Sequence, residues 1–368
     1  GQDPASNPSI WTDLSVIATS LQVPVETVPT LSTQTILNSI PSSVPANDNL
    51  TDTNFQTAVN LWFTDQANAI STYGHIRDWN VSGVTNMSQA FYNRESFNED
   101  ISGWDVRNVT NMSYMFSGAK AFNQPIGNWE VSSVLNMERT FYNASSFNQL
   151  IGDWNVSAAT NMDSMFRSAS AFNQPIGSWE VSSVSNMYRT FYNASSFNQP
   201  VRDWNVSAVT NMAQLFASAI SFDQDIGDWN TSAVITMQST FQKASAFNQD
   251  LGDWNVSAVQ NMVLMFDQAN YLSNANKGKI HRSFSSNPSW LYQWAEHAGY
   301  TPLNDANFPN AIALWFSDEA NATATYGHIL EWNVSAVTDM SNAFQNRSTF
   351  NQPIGDWNFS SVTDMTDM

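Results

Sequence analysis

Residues 204–228 read W-N-V-S-A-V-T-N-M-A-Q-L-F-A-S-A-I-S-F-D-Q-D-I-G-D, and Trp229 begins the same phrase again. Tryptophan returns at this 25-residue interval eight times, at Trp79, Trp104, Trp129, Trp154, Trp179, Trp204, Trp229 and Trp254. A fixed period of this size is the signature of a repeat solenoid, in which each coil buries its apolar face only against its neighbours. Within the quoted coil apolar residues recur at Val206, Val209, Met212, Phe216, Ala219, Phe222 and Ile226. The spacing of Val209, Met212, Phe216 and Ala219 predicts a short helix, with Ser207 or Thr210 as N-cap. Trp204-x-Val206 predicts a short strand, although V-x-N-M is an equal candidate for it. The I-G-D before each tryptophan, often preceded by proline as at Pro125, Pro175 and Pro353, reads as the turn between coils. The expected fold is thus a solenoid of leucine-rich-repeat-like coils, each a short strand plus a short helix, closed by helical caps.

Two asparagine columns run beside the apolar ones. One is Asn86, Asn111, Asn136, Asn161, Asn186, Asn211 and Asn261, interrupted by Thr236. The other, in F-N-Q, is Asn98, Asn123, Asn148, Asn173, Asn198 and Asn248, interrupted by Asp223. Coils stacked at the interstrand spacing of about 4.8 Å turn such columns into hydrogen-bonding ladders. The tryptophan column is expected in the core, since eight exposed tryptophans would form a large apolar patch.

Composition narrows the function. The 368 residues include no cysteine, which excludes disulfides and thiolate metal sites. Only 12% are charged, yet the net charge is −19, which opposes nucleic acid or anionic lipid as partner. No run of eighteen apolar residues predicts membrane insertion. The first residue, Gly1, fits a mature form whose leader has been removed. Sequons place candidate N-glycosylation directly after the repeat tryptophan at Asn80, Asn155, Asn205, Asn230, Asn255, Asn333 and Asn358, and elsewhere at Asn108, Asn143, Asn193 and Asn321. In stacked coils the first group would form a stripe of covalent glycans. The competing account of W-N-V-S is turn chemistry, with Asn and Ser satisfying backbone groups.

The phrase F-N-Q-P-I-G-x-W-x-V-S-x-V-x-N-M-x-x-x-F, at Phe122–Phe141 and Phe172–Phe191, resembles the repeat of BspA-like bacterial surface proteins. The resemblance covers about residues 75–270 and 328–368. It implies kinship with leucine-rich repeats, an extracellular location and an adhesive or structural role. It implies no activity.

A longer repeat overlies the short one. The stretch from Asn54 through Trp62, His75 and Trp79 returns from Asn307 through Trp315, His328 and Trp332. The expected organisation is an N-terminal extension and linker (1–50), a helical cap (51–78), eight coils (79–266), a C-terminal cap or connector (267–303) and the start of a second module (304–368). His75 and His328 have no cysteine, histidine or carboxylate companions at ligand spacing, so a hydrogen-bonding role in the cap is expected. The turn residues Asp153, Asp203, Asp228 and Asp253 lack a calcium-loop pattern. No catalytic constellation, cofactor motif or metal site is recognisable, and no enzyme is expected.

The ends point to assembly. The second module reaches Met368 within two coils, so a coil face of Trp357, Val362 and Met365 is expected to be exposed. The N-terminal extension carries an apolar arm: Ile10, Trp11, Leu14, Val16, Ile17 and Leu21, then Val28 to Ile40. An arm at one end and an open coil at the other form a heterologous pair, which propagates rather than closes. The expected function is an extracellular structural subunit, glycosylated and polymerising head to tail with copies of itself into a fibril or surface layer. The alternative is an adhesin or carbohydrate- or protein-binding module using one face of the coils.

Overall fold

The computed structural model describes residues 49–368. These residues form a repeat protein of stacked coils, with one apolar core spanning Leu50 to Trp290 and a second spanning Leu303 to Trp357. Helices α1 (Phe55–Thr64) and α2 (Gln66–Tyr73) and a 3-10 turn (Ile76–Asp78) precede the first core's coils. Helix α3 (Asn274–Phe284) follows them. Helices α4 (Phe308–Ser317) and α5 (Glu319–Tyr326) and a 3-10 turn (Ile329–Glu331) open the second core, as the 253-residue echo predicts.

The interior of a coil differs from the strand-plus-helix expectation. Residues 204–228 contain neither a helix nor an extended strand; the chain runs through consecutive tight turns. Neighbouring coils meet in single-residue parallel bridges at the first asparagine column, from Asn86↔Asn111 to Thr236↔Asn261. This is the V-x-N-M alternative, shortened to one residue. The physical reason lies in the backbone of residues 212–218. Gln214 and Ser218 have φ of 57° and 59°, the left-handed region that a continuing helix cannot use. The alternate amides of Met212, Gln214, Phe216 and Ser218 donate to Thr236, Gln238, Thr240 and Gln242 of the next coil at 2.7–3.0 Å. Leu215, Ala217 and Ala219 donate three residues back within their own coil. Half of the amides therefore point along the stack, where a helix would direct them along its own axis.

Side chains fill the interior in columns. The repeat tryptophans are 1–4% exposed. Each ring from Trp129 to Trp229 stacks on the next at 6.2–6.5 Å. From Trp104 to Trp254 each indole Nε1 finds a buried acceptor one coil back, as Trp179 does at the Ile151 carbonyl (3.0 Å). The ring spacing exceeds the ~4.8 Å expected of paired backbones. The F-N-Q column forms the predicted ladder, whereas among the described residues the other column has a single long rung, Asn186 Nδ2 to Asn161 Oδ1 at 3.4 Å. Asn148 Oδ1 accepts the Asn173 amide at 2.9 Å, and Gln174 Nε2 reaches back to Asn148 O and Oδ1 at 3.0 Å. In the other column Oδ1 turns inward along its own chain, as Asn136 Oδ1 does to accept the Glu138 amide at 3.0 Å.

The flanking segments replace the hydrogen bonds that a missing coil would supply. In the stack the amides of Thr110 and Asn111 donate to Thr85 O of the preceding coil. The first coil has no predecessor, so Asp52 Oδ1 accepts the Thr85 and Asn86 amides at 2.8 and 3.0 Å. Asp305 does the same for Thr338 and Asp339. At the other end Tyr292 Oη accepts the Phe266 amide at 2.7 Å, while burial pushes its phenol up to about 12. Asn287 Nδ2 donates to Val256 O and Val259 O at 2.6 and 2.9 Å.

Burial works to raise the Asp52 carboxyl, but the Thr85 hydroxyl and the Thr85 and Asn86 amides prevail, and it lies below its ordinary value. A carboxylate depressed in the folded state contributes stability above its unfolded pKa and loses it as pH falls through the folded one. Asp52→Ala is therefore expected to cost about 1 kcal/mol near neutral pH. It should cost almost nothing once wild-type Asp52 is protonated, well below pH ~4. Melting curves of both proteins across pH check this; a penalty that persists in acid refutes the role.

Candidate functional site: the sequon stripe and the terminal coil

The asparagine that follows a repeat tryptophan faces outward, because the ring before it is buried and the residue after it, a valine in most coils but Thr231 and Phe359 in two, turns inward. Asn80, Asn155, Asn205, Asn230, Asn255, Asn333 and Asn358 are all exposed. In each, Oδ1 accepts the amide two residues on, at 3.0–3.2 Å. In Asn80, Asn155 and Asn230 it also accepts that serine's hydroxyl at 2.7 Å. This is the turn chemistry weighed above. It occupies only the oxygen. Among the described residues the Nδ2 groups of Asn155, Asn205, Asn230, Asn255, Asn333 and Asn358 make no hydrogen bond, whereas Asn80 Nδ2 donates to Asn49 Oδ1 at 2.6 Å. The nitrogen that a glycan would occupy thus stands open at one register, broken where Asp105, Glu130 and Glu180 replace asparagine.

The remaining sequons lie off this stripe. Asn108 is exposed and donates Nδ2 to Ser82 O at 2.9 Å. Asn143 and Asn193 adopt φ of 54° and 55°, Asn143 being half-buried, and Asn193 donates to Ser168 Oγ at 3.2 Å. Asn321 lies inside α5, exposed.

Of the assembly residues, Ile10, Trp11, Leu14, Val16, Ile17 and Leu21 lie outside the described residues. Trp357 corrects the expectation: it is 4% exposed, stacked on Trp332 at 5.9 Å and bonded through Nε1 to Ile329 O at 2.8 Å. A tryptophan packs on the coil before it, so it needs no successor to be buried. Val362 is half-buried, and Met365, 45% exposed where Met87 and Met137 are fully buried, does present an apolar surface.

The paired histidines serve the helical segments. His75 and His328 pack edge-on against Trp62 and Trp315 at 5.0 and 4.9 Å. Nδ1 of His328 accepts the Leu330 amide at 3.4 Å, and burial holds its imidazole below the ordinary value against the pull of Glu331 and Glu319. Among the described residues no three His, Asp or Glu side chains are grouped to hold a metal ion. Asp225 and Asp228 instead pair with Arg202. Among the described residues no helix is long and apolar enough to cross a membrane.

A feature invisible in the repeat phrase sits on the turn face. Arg139, Arg167 and Arg189 lie over the rings of Tyr114, Tyr142, Tyr188 and Tyr192 at 4.6–5.6 Å. Arg139 meets Tyr114, and Arg167 meets Tyr142 and Tyr192, at the same position of adjacent coils, while Arg189 meets Tyr188 and Tyr192 within its own coil.

The coil register and the paired helical segments coincide with a known family. Its model matches residues 57–179, 125–212, 198–287 and 313–368, more than half of the chain in four overlapping or successive copies. The chain belongs to the family described as Mycoplasma protein of unknown function, DUF285. No curated protein and no solved structure matches the chain. DUF285 is thus a repeat family whose description assigns no activity, and the break in its matches between 287 and 313 falls at the junction of the two cores.

Proposed function

We propose that this DUF285 chain is an extracellular structural solenoid, a glycosylated subunit that assembles head to tail into a fibril or surface layer. The observation that carries this reading is where its chemistry is used. Aromatic columns, the F-N-Q ladder and alternate backbone amides all join coil to coil. The open Nδ2 stripe supports the glycan component, and the resemblance to BspA-like repeats supports the surface location. Electron microscopy of native material is expected to show filaments of constant axial repeat, and deletion of residues 1–45 to abolish them. Monodisperse single molecules would overturn the fibril. Glycosidase treatment in heavy-oxygen water followed by peptide mass spectrometry should mark Asn155, Asn205, Asn230 and Asn255; unmodified asparagine at all of them removes the glycan component.

The Arg–Tyr face favours a second reading, a binding module. Tyrosine and arginine are the residues enriched at interaction hot spots. Binding of a glycan or protein by the isolated molecule, lost in Arg167→Ala, would favour it over the fibril.

A further inference from the structure

Each coil has a donor side and an acceptor side. The carbonyls of Asn111, Ser113, Met115 and Ser117 in the second coil accept the amides of Met87, Gln89, Phe91 and Asn93 in the first, at 2.8–2.9 Å. The corresponding carbonyls of the first coil belong to Asn86, Ser88, Ala90 and Tyr92. Among the described residues none of the four accepts a hydrogen bond. They line a cleft of about 480 Å³ between α1 and the first coil, bordered by Asp52, Phe55 and Arg94. Asp52 satisfies only the amides at its near end.

The second module repeats the arrangement. The carbonyls of Asp339, Ser341, Ala343 and Gln345 likewise accept nothing among the described residues. A cleft of about 220 Å³ bordered by Asp305 and Phe308 lies over the first three, Asp339, Ser341 and Ala343. Arg347 covers Phe316 at 4.4 Å, as Arg94 covers Phe63 at 4.3 Å. A feature built twice, 253 residues apart, is a property of the module.

A row of carbonyls at alternate residues is an open sheet edge, and its complement is an extended segment offering amides at alternate residues. Two such segments lie outside the described residues, 14–23 and the longer 30–40. Residues 30–40, T-L-S-T-Q-T-I-L-N-S-I, lie between Pro29 and Pro41 and contain no proline, glycine or charge. Every amide in it can donate, and its Thr, Leu and Ile content matches strand preference. We infer that residues 30–40 of one copy dock as an added strand on the second-module carbonyl row, Asp339–Gln345, of a neighbouring copy, which keeps the contact head to tail. The choice of a neighbour rests on the head-to-tail reading above; the rows and the segment do not.

Amide hydrogen exchange on the full chain, across a range of protein concentrations, tests this. Residues 30–40 are expected to exchange at least tenfold more slowly once the protein assembles. The protection should vanish in Ser341→Trp, which fills the cleft over that row, and in Thr33→Pro/Thr35→Pro, which removes donors without touching a coil. If filaments form and need residues 1–45 while 30–40 exchange like a free peptide, the docking is wrong and the assembly stands. Protection that is independent of concentration yet lost in Ser88→Trp or Ser341→Trp places the strand in its own molecule and overturns the neighbour. Monomers with unprotected residues 30–40 overturn both.

Discussion

Trp179→Ala should destabilise the repeat stack by about 3–5 kcal/mol, the cost of removing a fully buried tryptophan. The ring is 3% exposed and lies between Trp154 and Trp204 at 6.5 and 6.4 Å. Its loss opens a cavity bounded by two other aromatic planes, and neither column can slide to fill it because each is held by its own Nε1 bond. The Ile151 carbonyl would also lose one of its two donors, keeping only the Trp154 amide at 3.1 Å. Coils contact only neighbours, so the effect should be larger here than for Trp254→Ala, whose ring stacks on one tryptophan only. Denaturant unfolding of both variants measures the difference. Equal, small losses would mean that the column does not carry the stability assigned to it.

Gly152→Ala is expected to cost about 1–3 kcal/mol despite adding a single methyl. A β-carbon there would sit 2.5 Å from the Pro175 carbonyl oxygen of the next coil. That oxygen is backbone, so relief requires the coils to part, straining the ladder bonds between Asn148 and Asn173. Gly103 supplies the control. Nothing lies within 4 Å of its notional β-carbon, and Gly103→Ala should change stability by less than about 0.5 kcal/mol. A melting shift of similar size in the two variants would show that coil contact at Gly152 is not the source of the penalty.

The sequence revealed the stack through residues whose environment repeats: Trp179, Phe191 and Ile176 recur because each meets its own kind one coil away. The helical segments were legible for a similar reason, the return of Trp62 and His75 as Trp315 and His328. The backbone between Met212 and Ala219 was not. Apolar spacings of three and four fit a helix face, but a run of tight turns meets the same requirement. The left-handed residues that distinguish the two are Gln89, Tyr114, Arg139, Ser164 and Leu264 at equivalent places, none of them glycine. Nothing in their chemistry announces that conformation; the amide of the adjoining coil enforces it. The Asp52 and Tyr292 substitutions for a missing coil were equally hidden, since each is a single polar residue outside the period. The sequon stripe was legible because exposure follows from adjacency to a buried tryptophan.

The separation of donor and acceptor sides makes the chain behave as a ruler. From the asparagine bridge onward every interior coil presents alternate amides forward and alternate carbonyls backward, so a cut after one tryptophan and a rejoining after another restores this backbone pairing between coils. A gene that gains or loses a whole 25-residue unit would lengthen or shorten the stack by one coil. The segments at either end would meet unchanged surfaces. Slippage by any other number would misalign the tryptophans, the ladder and the turns together. Length is the quantity that such a molecule can vary freely, while its two ends stay the same.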